Sequence, residues 1–252
     1  MNILRTSAVV AAIGLTLAGC VARENPSSQR GDDDFPTATA EETTSAEDTA
    51  EGGTTTEGEC GFGPDQSGSE PSVGLPPDEG PVDATTLSLT TSAGPLTIQL
   101  DAERAPCTVQ SMVFLAGEGF FDGTNCHRLT TSEGLRVLQC GDPAGNGSGG
   151  PGYVVPDEFP TDLPPSADGS SVTYPRGTVA MANAGPGTTG SQFFLVYADS
   201  TLPPEYTVFG TLDEASLATL DQVAAAGVAP GGNSPQDGAP VTPVTIESAE
   251  AA

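Results

Sequence analysis

Between Val21 and about Pro81 the chain offers almost nothing to bury, and from Ala84 onward apolar residues recur with a fixed period. The first stretch is Glu, Asp, Thr, Ser, Gly and Pro, and Thr37 to Glu59 contains no aromatic residue and no Leu, Ile, Val or Met. Such a segment cannot offset the entropy of ordering its backbone, so residues 20–83 are expected to form a disordered, self-repelling tether. Folding is then confined to the C-terminal two thirds of the chain, and one domain over 84–250 is the expectation.

Within that domain the apolar spacing is mostly two. Leu87 and Leu89, then Leu96, Ile98 and Leu100, alternate with polar residues around a Ser92–Pro95 turn, which predicts a hairpin. Ala105-Pro106 opens a predicted helix whose apolar face is Val109, Met112, Val113 and Leu115, ending at Gly117 or Gly119. Strands are predicted at 126–129, 135–140, 178–181, 192–197 and 207–210, a second helix at 214–226 and a closing strand at 241–247. A long Gly/Pro loop spans 141–152. Many short strands with only two helices predict a closed antiparallel barrel.

The N-terminus reads as an export signal over residues 1–19. Arg5 follows the start, Ser7 to Leu17 is an uncharged, mostly apolar run too short for a mature membrane span, and Leu17-Ala18-Gly19-Cys20 ends it. That last run resembles the bacterial lipobox, which implies diacylglycerol on Cys20 and an extracytoplasmic protein anchored to the cell membrane through lipid. The formal net charge is -27, with seven arginines and no lysine. That balance argues against nucleic acid as a partner, because neutralising phosphates takes clustered cations. It also favours a soluble, monomeric domain.

Removing Cys20 leaves Cys60, Cys107, Cys126 and Cys140. Four cysteines outside the cytoplasm predict two disulfides with three open connectivities. Pairing of the strands that hold Cys126 and Cys140 would let those two meet, and Cys60 would then staple the end of the tether through Cys107. No Cys-x-x-Cys pair is present, so no metal is expected.

The remaining catalytic classes narrow quickly. His127 is the single histidine, no nucleophile elbow accompanies it, and it reads as a satisfied structural residue. Gly145-Asn146-Gly147-Ser148-Gly149-Gly150 lacks the lysine and helix start of a phosphate cradle. What is left is an arginine among amides and apolar groups. The runs are Cys126-His127-Arg128-Leu129, Val137-Leu138-Gln139-Cys140-Gly141, Gly149-Gly150-Pro151-Gly152-Tyr153, Met181-Ala182-Asn183-Ala184-Gly185-Pro186, Gly190-Ser191-Gln192-Phe193-Phe194 and Tyr206-Thr207-Val208-Phe209-Gly210.

In order and spacing these runs resemble the cyclophilin family of peptidyl-prolyl cis/trans isomerases over residues 84–250. The resemblance implies an eight-stranded closed barrel capped by two helices, an enzyme without cofactor or metal, and proline-containing peptides and unfolded exported proteins as partners. It implies Arg128 as the catalytic arginine. Gln139, Ala182, Asn183 and Gln192 match residues that line the substrate groove. Phe194, Leu202 and Val137 match the proline pocket, and Tyr206 replaces a common histidine. Three features depart from the family. The segment between Leu129 and Gln139 is a few residues longer, so Leu135 or Arg136 falls where a pocket phenylalanine is usual. Thr201 stands in place of a common tryptophan, which implies weak binding of cyclosporin-type inhibitors. The same groove on the same fold would also suit a weakly catalytic module or chaperone that holds proline peptides. A two-lobed solute-capturing lipoprotein is disfavoured, because the repeated α/β pattern is missing.

Overall fold

The computed structural model describes residues 60–65, 72–77, 82–167 and 169–252. The leader expected over 1–19, the lipidation residue Cys20 and the tether up to residue 59 lie outside them. The described chain runs β1 (Gly63–Pro64), β2 (Thr86–Thr91), β3 (Gly94–Leu100), α1 (Pro106–Gly117), β4 (Arg128–Thr130) and β5 (Val137–Cys140). It continues through β6 (Tyr153–Val154), β7 (Val172–Tyr174), β8 (Thr178–Met181), β9 (Phe193–Val196) and β10 (Ser200–Leu202). The last elements are β11 (Val208–Leu212), α2 (Glu214–Ala226), β12 (Asp237–Gly238) and β13 (Ile246–Ala251).

Nine strands form one antiparallel sheet in the order β12-β4-β5-β9-β8-β11-β3-β2-β13. The two-residue β12 is an outer addition; the other eight curl until the ends meet. Closure is made by main-chain bonds just before β4 and at the start of β13: Cys126 N–H to Val244 O at 2.8 Å, Ile246 N–H to Thr124 O at 2.8 Å and Gly123 N–H to Ile246 O at 2.8 Å. A closed sheet leaves few unpaired edge groups, which is why strands this short are stable together.

Burial on both faces explains why the central strands are apolar without a break. Leu138, Val179, Met181, Phe193, Leu195 and Phe209 lie in the main core, shared with Val109 and Met112 of α1 and Leu217 and Leu220 of α2. Their chain neighbours Val137, Ala180, Phe194, Val196 and Val208 form a second cluster around Tyr174 on the opposite face. The period of two thus separates a structural side of the sheet from the side that carries the groove. Each fully buried side chain of this size contributes about 1.5–3 kcal/mol.

Both helices lie where expected. α2 is capped by Asp213, whose carboxylate accepts the Ser216 N–H at 2.7 Å, and it stops at Gly227 with φ +83°. α1 starts on Pro106, and its free N–H groups are satisfied from a distance: Glu158 accepts from Cys107 N and Thr108 N, both at 2.9 Å. No helix among the described residues is long and apolar enough to cross a membrane.

The closing strand differs from the expectation. It is Ile246–Ala251 rather than 241–247, with Leu89 opposite Ala249 and Leu87 opposite Ala251. Pro243 lies in the expected segment and cannot donate to a ladder, so pairing starts beyond it. The described part of the expected tether also belongs to the packed body. Phe62 and Val73 pack on the core, β1 pairs with β6, and a disulfide joins Cys60 to Cys107. A second disulfide joins Cys126 to Cys140 across the start of β4 and the end of β5.

Candidate active site

One row of cross-strand neighbours builds the floor of the groove. Arg128 on β4 faces Gln139 on β5, Gln139 faces Phe194 on β9, Phe194 faces Ala180 on β8, and Ala180 faces Val208 on β11. Directly opposed residues in antiparallel strands point to one side with side chains in reach. The register therefore places a cation, an amide and an aromatic ring in line.

Above this row lies a cavity of about 210 Å³ lined by Arg128, Leu135, Val137, Gln139, Ala182, Asn183, Phe194, Leu202 and Tyr206. Eight of these are the residues implied from sequence, and the ninth, Leu135, answers the open question about the long segment. Ser132 and Leu135 form a small bridge around Gly134, φ +88°, which absorbs the extra residues. Leu135 and Val137 are two apart and share the groove side, while Arg136 points away and is exposed. The back wall is aromatic: Phe194 meets Tyr206 edge to face with centroids 5.7 Å apart, and Tyr174 meets Phe194 at 6.2 Å. Tyr174 accepts the Tyr206 N–H at 3.2 Å, and burial raises its phenol to about 12, so it stays protonated.

Among the described residues lining the cavity, Arg128 is the one with a charged side chain. Its Nε donates to Oδ1 of Asp237 at 2.8 Å, its Nη2 to Oδ2 of Asp237 at 2.9 Å and its Nη1 to Oε1 of Gln139 at 3.3 Å. Gln139 passes its own amide to Gln192 Oε1 at 2.9 Å, and Gln192 donates to the Gly149 carbonyl at 2.9 Å. The Asp237 hydrogen bond raises the guanidinium further above its ordinary value, and the Arg128 hydrogen bond lowers the Asp237 carboxyl. Both groups therefore stay ionised through the neutral range.

Gln192 stands apart from the other implied residues. It lines a neighbouring cavity of about 400 Å³ that shares Gln139, Ala182 and Asn183 with the first. Asn183 has its side chain bound to main-chain groups of its own loop and of the β10–β11 loop: Oδ1 accepts from Gly185 N at 3.1 Å and Nδ2 donates to Glu205 O at 2.7 Å. A peptide would accordingly be anchored by main-chain groups at this position.

His127 corrects the reading of a satisfied histidine. Both ring nitrogens are buried and have no hydrogen-bond partner, and burial lowers the imidazole pKa, partly opposed by Asp142. The glycine-rich loop beside it is not a phosphate cradle, because its N–H groups turn inward. Asp142 accepts from Ala144 N at 2.7 Å, from Asn146 N at 2.8 Å and from Gly147 N. Asp237 is the residue that sequence reading missed. It sits 109 positions from Arg128, and its only signal is an acid inside a glycine-rich turn.

Comparison with known proteins agrees with this geometry. The family described as cyclophilin type peptidyl-prolyl cis-trans isomerase/CLD matches residues 86–251. A relative from Mycobacterium leprae, a probable peptidyl-prolyl cis-trans isomerase B, is 56% identical over 180 residues, covering 69% of this chain and 60% of its own length. A crystal structure of a cyclophilin type isomerase from Cryptosporidium parvum superposes with TM-score 0.53 at 26% identity, covering 67% of this chain and 98% of that one. The same protein in the presence of the dipeptide ala-pro gives TM-score 0.50 at 26% identity, covering 66% and 98%. The chain belongs to the cyclophilin-type peptidyl-prolyl cis-trans isomerase family.

Proposed function

We propose that the protein catalyses cis/trans isomerisation of Xaa-Pro bonds in exported proteins at the outer face of the cytoplasmic membrane. The observation that carries the catalytic part is the placement of a held guanidinium at the mouth of an apolar slot with Phe194, Leu135 and Leu202 as walls. A slot of about 210 Å³ suits a small apolar ring.

Rotation about a peptide bond is resisted by conjugation of the nitrogen lone pair, a barrier of about 18–20 kcal/mol. As the bond twists, the prolyl nitrogen recovers that lone pair and becomes an acceptor. Arg128 donates to it then, and neither planar isomer offers the same acceptor, so the contact favours the twisted state. No bond to carbon breaks, so the reaction needs no nucleophile. An acceleration of about 10⁶ asks for about 8 kcal/mol. One charge-assisted hydrogen bond contributes about 1.5–3 kcal/mol, and orientation in a dry slot supplies the rest.

The location rests on two supports. The Leu17-Ala18-Gly19-Cys20 run has the form of a lipidation signal, and two disulfides fit an oxidising compartment. Metabolic labelling with a fatty acid tests this part: label in the membrane fraction of wild type and none in Cys20→Ala is expected, whereas label in both contradicts it. For catalysis, exchange of an Ala-Pro peptide is followed by NMR with the whole chain. Acceleration is expected. Saturable binding without acceleration would leave a module that only holds proline peptides.

A further inference from the structure

Five N–H bonds belong to a guanidinium, and three are engaged here: Nε and one on Nη2 by Asp237, one on Nη1 by Gln139. One N–H on each terminal nitrogen remains for the slot that Arg128 lines. Gln139 alone, with a single bond at 3.3 Å, would leave the planar group free to swing. The two-point contact with a carboxylate removes that freedom, because the fork geometry admits one plane.

The segment that delivers Asp237 is not held by the apolar core, and its Gly232, Asn233 and Gly238 line a cavity with Arg128 and Gln139. No residue from 230 to 238 belongs to either apolar cluster, and residues 232–236 are exposed. The segment is nonetheless built tightly. β12 pairs with β4, setting Asp237 opposite Thr130 and hence diagonal to Arg128 on the same face. Ser234 and Asp237 exchange main-chain bonds at 3.1 and 3.2 Å, and Thr131 N–H reaches Gln236 O at 2.9 Å. Two glycines make the close approach possible: a Cβ on Gly238 would stand 2.8 Å from Cα of Gly232, and one on Gly232 would stand 2.5 Å from the Asp237 carbonyl oxygen.

We propose that Asp237 is a positioning residue for isomerisation, clamping the Arg128 guanidinium in the plane from which its free N–H bonds reach the prolyl nitrogen. The role rests on the isomerase reading and adds to it a residue from outside the recognisable motifs. A clamp acts on the twisted state, where the guanidinium contact is made, and hardly on ground-state binding. Its loss is therefore read in kcat rather than in KM.

The experiment measures kcat and KM on an Ala-Pro peptide, with melting temperatures, for wild type, Asp237→Asn, Arg128→Ala and the double variant. Asp237→Asn is expected to lower kcat about tenfold or more, as misplacing a reacting group does, with KM nearly unchanged and melting close to wild type. In the Arg128→Ala background it should change nothing further, because the clamp then holds nothing. Wild-type kcat in Asp237→Asn beside a deficient Arg128→Ala overturns the inference, as do additive losses in the double variant. Wild-type kcat in Arg128→Ala removes the role of Arg128 and the clamp with it, whereas no acceleration by wild type overturns the isomerase reading itself. Should Asp237→Asn fail to fold, ¹⁵N NMR of wild type decides: a slowly exchanging Arg128 Nε–H supports the clamp, and exchange as fast as in free arginine refutes it.

Discussion

Gln139 donates from Nε2 to Oε1 of Gln192 at 2.9 Å while its own Oε1 accepts from Arg128, so one amide ties the cation of the slot to the wall of the neighbouring cavity. Both ends of that amide are used, and a leucine of similar size would satisfy neither. Gln139→Leu is expected to lower kcat/KM about tenfold with a loss of stability of about 1 kcal/mol, the ordinary worth of such bonds. Steady-state kinetics and denaturant melts check both numbers.

Activity should be flat between pH 6 and 9. Hydrogen bonding to Asp237 raises the Arg128 pKa and hydrogen bonding to Arg128 lowers that of Asp237, so neither changes charge in that window. A depressed carboxylate adds stability that is complete above its unfolded value, roughly 3.9, and is lost as pH falls through the folded value. His127 behaves differently: its burial disfavours the proton that the unfolded chain takes up at roughly 6.5, so stability starts to fall below that pH. Melting temperatures from pH 8 to 5 should decline in wild type, and His127→Gln should flatten the decline.

The two disulfides should separate stability from activity. Closing loops of 47 and 14 residues is worth about 4 and about 3 kcal/mol respectively on the chain-entropy account. Cys126 lies two positions before Arg128 and Cys140 one after Gln139, so loss of that bond loosens the pair directly. Cys126→Ser with Cys140→Ser is expected to lower both melting temperature and kcat. Cys60→Ser with Cys107→Ser should lower the melting temperature and spare most of the activity.

Thr201 is exposed on β10 beside Leu202, which lines the slot. A threonine offers a cyclosporin-type ligand neither the area nor the ring N–H of an indole. Thr201→Trp should therefore tighten such a ligand about tenfold, given about 1.4 kcal/mol from one added contact, while peptide turnover changes little. Titration calorimetry on both proteins measures it.

Much of this was legible in the sequence because the physics is local. The Leu87/Leu89 and Leu96/Ile98 alternation marks the first hairpin, and Asp213 and Gly227 bracket α2. Most slot residues announce themselves through motif runs whose register the strands then align, whereas Leu135 and Leu202 lie outside those runs. Distant partnerships were not legible. Glu158 capping α1, Asp237 holding Arg128 and the pairing of β13 beyond Pro243 depend on tertiary folding, which brings together residues about 50 to more than 100 apart, a separation at which pattern carries no signal. The packing of Phe62 and Val73 was hidden for a related reason: two apolar residues in a polar stretch reveal their role only once Cys60 is tied to Cys107.

In the proposed mechanism, catalysis turns on the Arg128 guanidinium favouring the twisted Xaa-Pro bond. Line-shape or exchange NMR on an Ala-Pro peptide, at equal concentrations of wild type and Arg128→Ala, measures this directly. The exchange rate is expected to fall at least tenfold in the variant while peptide binding changes little, since one charge-assisted contact of about 1.5–3 kcal/mol is removed. Equal exchange rates in the two proteins would contradict that role for Arg128.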